Sequence, residues 1–416
     1  MPLQIIIVGA GIAGLCAGVA LRQAGHKVQI FEKSKFAAEL GAALVVTPNG
    51  ARVLFQLGFS FSVARAVKMD AWTVVRGDNF EPIAHVDFRA ADQRFGAPIR
   101  SIHRVDLHNE LLRLATSETE PGHPVTLHLA SEVVDASTDG WIRLRNGAKH
   151  TADLVVGADG LHSVLKSVVA PTSDAEPQAT GLSAFRFLID TDKVNPATLK
   201  RRGPEIALLA DVEETAKERH ITWYACRGGA VQNFVGIHPS KDIDGDDPEA
   251  VKTAMLDEFG HFSPEVQELI RRSSEAKCWP LYIHKPLSDW SNGRIVIIGD
   301  AAHPMLPFGG QGANSAMEDG GALGTLLKNM EDGDFDSITR RLQMFGRVRQ
   351  ARAARIQILS SVRAGREMDV EEELRQYSDP QGSRIPKSMM ERTVHDYSYN
   401  VAEKCEEILS APGNHS

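Results

Sequence analysis

The opening of the chain constrains it most: the β-branched run Ile5–Val8 meets Gly9-Ala10-Gly11-Ile12-Ala13-Gly14. A short continuous apolar run suits a strand buried on both faces. The small-residue stretch Ile12–Ala24, closed by Gly25, reads as a helix, and Val28–Phe31 as the next strand. Together they make a β-α-β unit of about 30 residues. A GxGxxG alone is weak evidence, since glycines also serve plain turns. Here it follows a buried strand and opens a helix, and Glu32 falls 18 positions after Gly14, with Lys33 beside it. Gly9, Gly11, Ala13 and Gly14 let backbone approach a pyrophosphate at the positive helix end. The Glu32 carboxylate would accept hydrogen bonds from adenosine ribose, which favours a free 2′-hydroxyl and hence NAD or FAD over NADP.

The remaining pattern suggests two interleaved units. Leu182–Asp190, Glu205–Ala210, His220–Cys226 and Gln232–His238 are short strand-like runs among turn residues, predicting an antiparallel sheet. A helix is expected over Glu249–Phe259, a return to parallel-strand character at Arg294–Ile298, and a long arginine-rich helix over Ser337–Met368. The fold expected is α/β: a three-layer Rossmann-like domain from 1–75, 100–175 and 281–335, with an antiparallel substrate domain from 76–99 and 176–280. A helical segment, 336–416, follows. The net charge of −8 argues against a nucleic-acid partner held through phosphates. Cys16, Cys226, Cys278 and Cys405 form no CxxC pair, and no His/Asp/Cys group has metal-ligand spacing, so no metal is expected. No basic segment precedes the first apolar run, and the tail from Gly413 to Ser416 carries no address signal. Nothing approaches the roughly 18 unbroken apolar residues of a membrane span. A soluble, cytoplasmic protein is expected, a monomer or a homodimer.

Two more segments narrow the reading. Asp153-Leu154-Val155-Val156-Gly157-Ala158-Asp159-Gly160 is a strand running into a turn, and Arg294-Ile295-Val296-Ile297-Ile298-Gly299-Asp300 runs into the glycine-rich loop Met305–Asn314. Acidic residues at the carboxyl ends of parallel strands face the crevice where ligands bind. With the opening fingerprint, these segments resemble the single-component (class A) FAD-dependent aromatic hydroxylases, particularly the salicylate and hydroxybenzoate hydroxylase group, over nearly the whole chain.

The resemblance implies FAD as cofactor, with NADH or NADPH visiting as a transient co-substrate. It implies that Glu32 binds adenosine ribose, Arg104 sits over the FAD phosphates, Asp159 serves FAD and the nicotinamide cofactor, and Asp300 holds a ribityl hydroxyl. Gly310, Gly312, Ala313 and Asn314 would present backbone N–H groups to the flavin edge where negative charge collects on reduction, and Pro307 would lie beside the oxygen-reacting face. Ala43 stands where the family usually has glycine and Val45 where it often has Gln or His, in a stretch beginning at Gly41, so the flavin-facing wall should be less polar and the substrate greasier. Lys166 replaces a usual arginine. Phe345 through Gln357 resembles a supporting helix of the family, with Arg349, Arg352, Ala353 and Gln357 matching.

The implied reaction is hydroxylation of a small aromatic, phenolic substrate by O2 through a flavin C4a-hydroperoxide. His220, Thr222 and Tyr224 share one side of a strand by the two-residue repeat. Some hydroxypyridine and hydroxybenzoate hydroxylases share the His-x-x-x-Tyr spacing, which implies His220 as proton relay and Tyr224 as a substrate partner. Either could equally be an ordinary sheet residue. Arg186 and Arg227 are candidates for binding a substrate carboxylate, and His103 and His303 read as structural or flavin-adjacent. Epoxidation, oxidative dearomatisation or Baeyer–Villiger oxidation on the same scaffold remains open, as does a non-catalytic binding protein. The last is disfavoured by the intact Pro307–Asn314 loop.

Overall fold

The computed structural model describes residues 2–35, 42–171, 176–203, 205–212, 218–243, 247–273, 275–330, 334–363, 365–378 and 381–411. Gly41 and the tail from Gly413 to Ser416 lie outside the described residues. The opening strand, Gln4–Val8, runs inside a six-stranded sheet ordered Ser291–Asn292, Ile295–Ile297, Leu154–Gly157, Gln4–Val8, Lys27–Phe31, Thr126–His128. All pairings are parallel except that of Ser291–Asn292. Both faces are covered at the centre of the sheet, which is why Ile5–Val8, Leu154–Gly157 and Ile295–Ile297 are apolar and buried. A Cβ at Gly18 of the helix Ile12–Gln23 would touch Ile7 and Ile30, so this helix lies on one face. The next residue of the strand faces the other way: Val8 is in register with Gly157, whose Cβ would meet Leu165 of the helix Val164–Val169.

The helix Gly312–Leu327 crosses the first helix closely enough that a Cβ at Gly320 would lie 2.8 Å from the Ala17 nitrogen, and one at Gly324 2.6 Å from the Ala20 Cβ. Small residues on both helices are therefore a packing requirement. The long helix Phe335–Leu359 packs behind them. It stops at Leu359, short of the expected Met368. Met368 instead falls in a separate short 3-10 turn, Glu367–Val370.

A seven-stranded sheet forms the second unit, ordered Lys277–Ile283, Gln178–Asp190, Val231–Pro239, His220–Cys226, Ile206–Ala210, Ala71–Arg76, Pro82–Asp87. It is antiparallel apart from the pairing of Ile206–Ala210 with Ala71–Arg76. Ala71–Arg76, of which residues 71–75 fall in the 1–75 stretch assigned above to the nucleotide-binding unit, is thus hydrogen-bonded into this sheet. One sheet face buries Phe185, Phe187, Trp223 and Phe234 in a core shared with the helices Pro248–Phe259 and Pro264–Arg272. The opposite face looks across a cavity to the first unit. No helix among the described residues is long and apolar enough to cross a membrane.

Candidate active site

The cavity between the two units has a volume of about 1120 Å³. Part of its floor on the nucleotide side is bare backbone. Gly11, at the start of the first helix, and Gly310 and Gly312, at the start of the helix Gly312–Leu327, line it with nothing within 4 Å of where a Cβ would stand. Gly9 and Gly14 do a different job. A Cβ at Gly9 would lie 2.4 Å from the Ala158 carbonyl oxygen and one at Gly14 2.0 Å from the Gly9 oxygen, so these two close the strand–turn–helix junction. Gly9 also sits at φ +99°, where side chains are strained.

Ala13, Ala43, Arg104, Asp300, Pro307 and Ala313 all line the cavity. Asp300 rides an exposed turn after the strand Ile295–Ile297, and Arg104 opens the helix Arg104–Thr116. Glu32 is not on the cavity wall; its carboxylate accepts the Ala10 and Ser34 N–H groups at 2.8 Å each, at the edge of the fingerprint turn. Lys33 is exposed. Asp159 is held by the Val164 N–H on Oδ2, while its buried Oδ1 has no hydrogen-bond partner among the described residues. Burial pushes this carboxyl above its ordinary range, against hydrogen bonds from Ser163 and the backbone. An orphaned acceptor next to two cavity-lining residues, Ala158 and Gly160, fits a hydroxyl- or amide-bearing ligand.

Asn314 has a packing role. Its fully buried side chain donates to the Val45 and Gly310 carbonyls and accepts the Thr47 N–H, tying the strand Ala43–Val46 to the glycine loop. The seven-stranded sheet grips the same strand: Asn233 accepts the Ala43 N–H and Tyr224 donates to the Ala43 carbonyl, both at 2.9 Å. The Tyr224 hydroxyl is thus already occupied, and burial raises its pKa.

On the sheet side, register makes a grid. The row Arg186, Val235, Thr222, Leu208, Val74, Ala84 crosses six strands, and every member lines the cavity. Flanking rows add His220 and Ile237 on one side and Tyr224, Ile206 and Trp72 on the other. This wall is apolar apart from Thr222 and a few groups at its margins. Arg186 is one of these, with a buried Nε lacking a partner among the described residues and a guanidinium 5.6 Å from the Trp279 ring. Burial, reinforced by the charge of Arg104, pushes its pKa down. Arg227 instead ion-pairs with Asp106 at 3.4 Å and is not on the wall. His103 is buried off the wall, its pKa driven down to about 4 by burial and then by the charge of Arg227.

Several cavity residues carry no motif in the sequence. Arg363, Arg366, Met389 and Tyr397 come from the C-terminal segment, and Glu218 from the approach to the His220 strand. Beneath the nucleotide floor lies a buried ionic network. Arg349 hydrogen-bonds Glu318 and Asp319, Arg352 reaches Glu318, and Asp319 accepts the Gly299 N–H and the His303 ring nitrogen. His303 therefore belongs to the support of the Gly299–Asp300 turn. Among the described residues no cluster could hold a metal ion, and all four cysteines are buried and unpaired.

A parallel sheet with a glycine cradle, two helix starts at one cavity and a facing apolar sheet define a dinucleotide-binding protein with room for a second, apolar ligand. The FAD binding domain family model matches residues 2–358, and the chain belongs to that family as an FAD-dependent monooxygenase of the class A aromatic hydroxylase type. It is 33% identical to the FAD-dependent monooxygenase cfoG of Aspergillus candidus, over 98% of this chain and 95% of that one. It is 35% identical to hispidin-3-hydroxylase of Neonothopanus nambi, over 84% and 86%. A salicylate hydroxylase substrate complex shares the fold at a TM-score of 0.73 and 23% identity, covering 97% of both chains.

Proposed function

We propose that the chain uses NADH or NADPH and O2 to hydroxylate an apolar phenolic substrate larger than a simple hydroxybenzoate. The observation that carries this reading is the sheet row from Arg186 to Ala84. It offers a broad apolar wall with a cation at one end, facing the start of the helix Gly312–Leu327. The names of the relatives, a hydroxylase of hispidin and one of salicylate, support hydroxylation.

Bound FAD supplies the redox chemistry, accepting hydride and activating oxygen. The protein's part is binding and electrostatics. Glu32 would hold the adenosine ribose, Arg104 the phosphates, Asp159 a polar group of the cofactor and Asp300 a ribityl hydroxyl. Backbone N–H groups of Gly312 and Ala313 would face the ring edge that gains negative charge, where fixed dipoles in a dry site act strongly; the Gly310 N–H is taken by the Pro307 carbonyl. Pro307 stiffens that approach. His220 would take the phenolic proton, Tyr224 would orient the strand Ala43–Val46 against the ring, and Arg186 would bind an acidic oxygen of the substrate. The four buried thiols support a reducing, cytoplasmic setting.

The test is a panel of phenolic acids and larger polycyclic or styryl phenols, scored for stimulated NAD(P)H consumption and product mass. Hydroxylated product from the larger apolar phenols is expected. Stimulation confined to small hydroxybenzoates, or none, overturns the reading.

A further inference from the structure

His220 is not alone on the wall. Its Nδ1 lies 2.9 Å from Glu218 Oε1, its ring packs 5.7 Å from that of Phe308 in the Pro307–Gly309 turn, and no described residue hydrogen-bonds its Nε2. Glu218 Oε2 faces Arg363 Nε at 3.7 Å. Glu218, Arg363 and Arg366 line the cavity, and both arginines are about half exposed, so this is its solvent rim. An ionised carboxylate only accepts hydrogen bonds, so Nδ1 carries a proton, and in the neutral ring the lone pair is on Nε2.

We propose that Glu218 is the positioning residue of a proton relay: it fixes the His220 ring so that Nε2 takes the substrate's phenolic proton and passes it to water at the Arg363 rim. The proposal rests on the functional reading above. In the step the phenol O–H bond breaks, an N–H bond forms at Nε2, and the electron pair stays on oxygen as phenolate. The imidazolium, neutralised by Glu218, then returns its proton to solvent. Burial alone would raise the Glu218 carboxyl, but the His220 hydrogen bond and the charges of His220, Arg363 and Arg366 hold it below the usual carboxylate range. The other charged groups nearby are engaged elsewhere, Asp211 with His261 at 3.1 Å and Arg219 with Glu258 at 2.7 Å, while Arg366 also pairs with Asp369.

The experiment uses the FAD-loaded enzyme and 2-naphthol, an apolar phenol whose ionisation is visible by absorbance. Bound naphthol should ionise at lower pH than free naphthol, and both Glu218→Gln and His220→Ala should abolish that shift. In turnover with a phenol that the panel identifies, His220→Ala should lose roughly 100-fold in kcat at neutral pH. Glu218→Gln should lose at least about tenfold in kcat with little change in KM, Glu218→Asp should recover part of it, and the double variant should be no worse than His220→Ala alone. The losses should shrink at high pH, where the phenol ionises unaided. An unshifted naphthol titration in the wild type, a wild-type titration in Glu218→Gln, or additive losses would overturn the relay. A preparation that binds no FAD or shows no phenol-stimulated NAD(P)H oxidation instead overturns the functional reading beneath it.

Discussion

Replacing Arg349 with methionine tests the support of the cofactor floor. The Arg349 side chain is fully buried, bonded to Glu318, to Asp319 at 2.8 Å and to the Ser315 carbonyl at 3.2 Å. Its removal leaves two fully buried carboxylates to share Arg352 and His303. Removing one partner of a buried ion pair costs roughly 3–5 kcal/mol, because the remaining charge is stranded. Unfolding entropy of about 2.1 cal/mol/K per residue over this chain amounts to about 0.9 kcal/mol per degree, so Tm should drop by about 3–6 °C. The drop has a pH signature. Burial alone would raise Glu318 and Asp319, but the charges of Arg352 and Arg349 on Glu318, and of His303 and Arg349 on Asp319, hold both below the usual carboxylate range. A depressed carboxyl contributes stability that is present above its unfolded pKa and lost as pH falls through its folded value. The gap between wild type and Arg349→Met should therefore be widest at neutral pH and narrow below about pH 4. Thermal unfolding followed by circular dichroism across that range reads it. An unchanged Tm, or a gap that does not vary with pH, refutes the reasoning.

Gly11→Val should fold normally, since nothing stands near its Cβ position, yet lose at least about 100-fold in FAD affinity by fluorescence titration, because the side chain enters the cradle. Gly14→Ala, with its Cβ aimed at the Gly9 oxygen, should instead yield destabilised or insoluble protein, seen in the soluble fraction and its melting curve. Arg186→Met should leave Tm unchanged or raised, as a partly desolvated cation is lost, while weakening an acidic substrate by about 1.5–3 kcal/mol in KM and a neutral analogue little. Tyr224→Phe should cost about 1 kcal/mol of stability through the lost bond to Ala43, measured by denaturant midpoint.

What the sequence reveals here is mostly local. The strand–glycine–helix opening is readable because its glycines, small helix residues and apolar strand are adjacent in the chain and obey one geometry. Alternation likewise exposes four central strands of the large sheet and places His220, Thr222 and Tyr224 on one side. The hidden parts are long-range. Ala71–Arg76 joins that sheet through a parallel pairing with a strand more than a hundred residues away, which no local period reports. Glu218 sits in no motif, and the rim residues Arg363, Arg366, Met389 and Tyr397 reach the cavity only because the C-terminal segment folds back. Asn314 is expected at the flavin edge through its backbone N–H; that its side chain is tied to Val45, Thr47 and Gly310 is not reported by any local pattern. The long helix reads past Leu359 because its arginines continue; the chain leaves it there, and Leu359 packs with Leu374 in a small separate core.

The central claim, that this cavity inserts one atom of molecular oxygen into an apolar phenol, is tested most directly by running the reaction under isotopically heavy oxygen gas and weighing the product. One heavy oxygen per product molecule, with one NAD(P)H consumed for each, is the predicted result. A product whose new oxygen comes from water, or NAD(P)H oxidation that leaves the phenol unchanged, would contradict it.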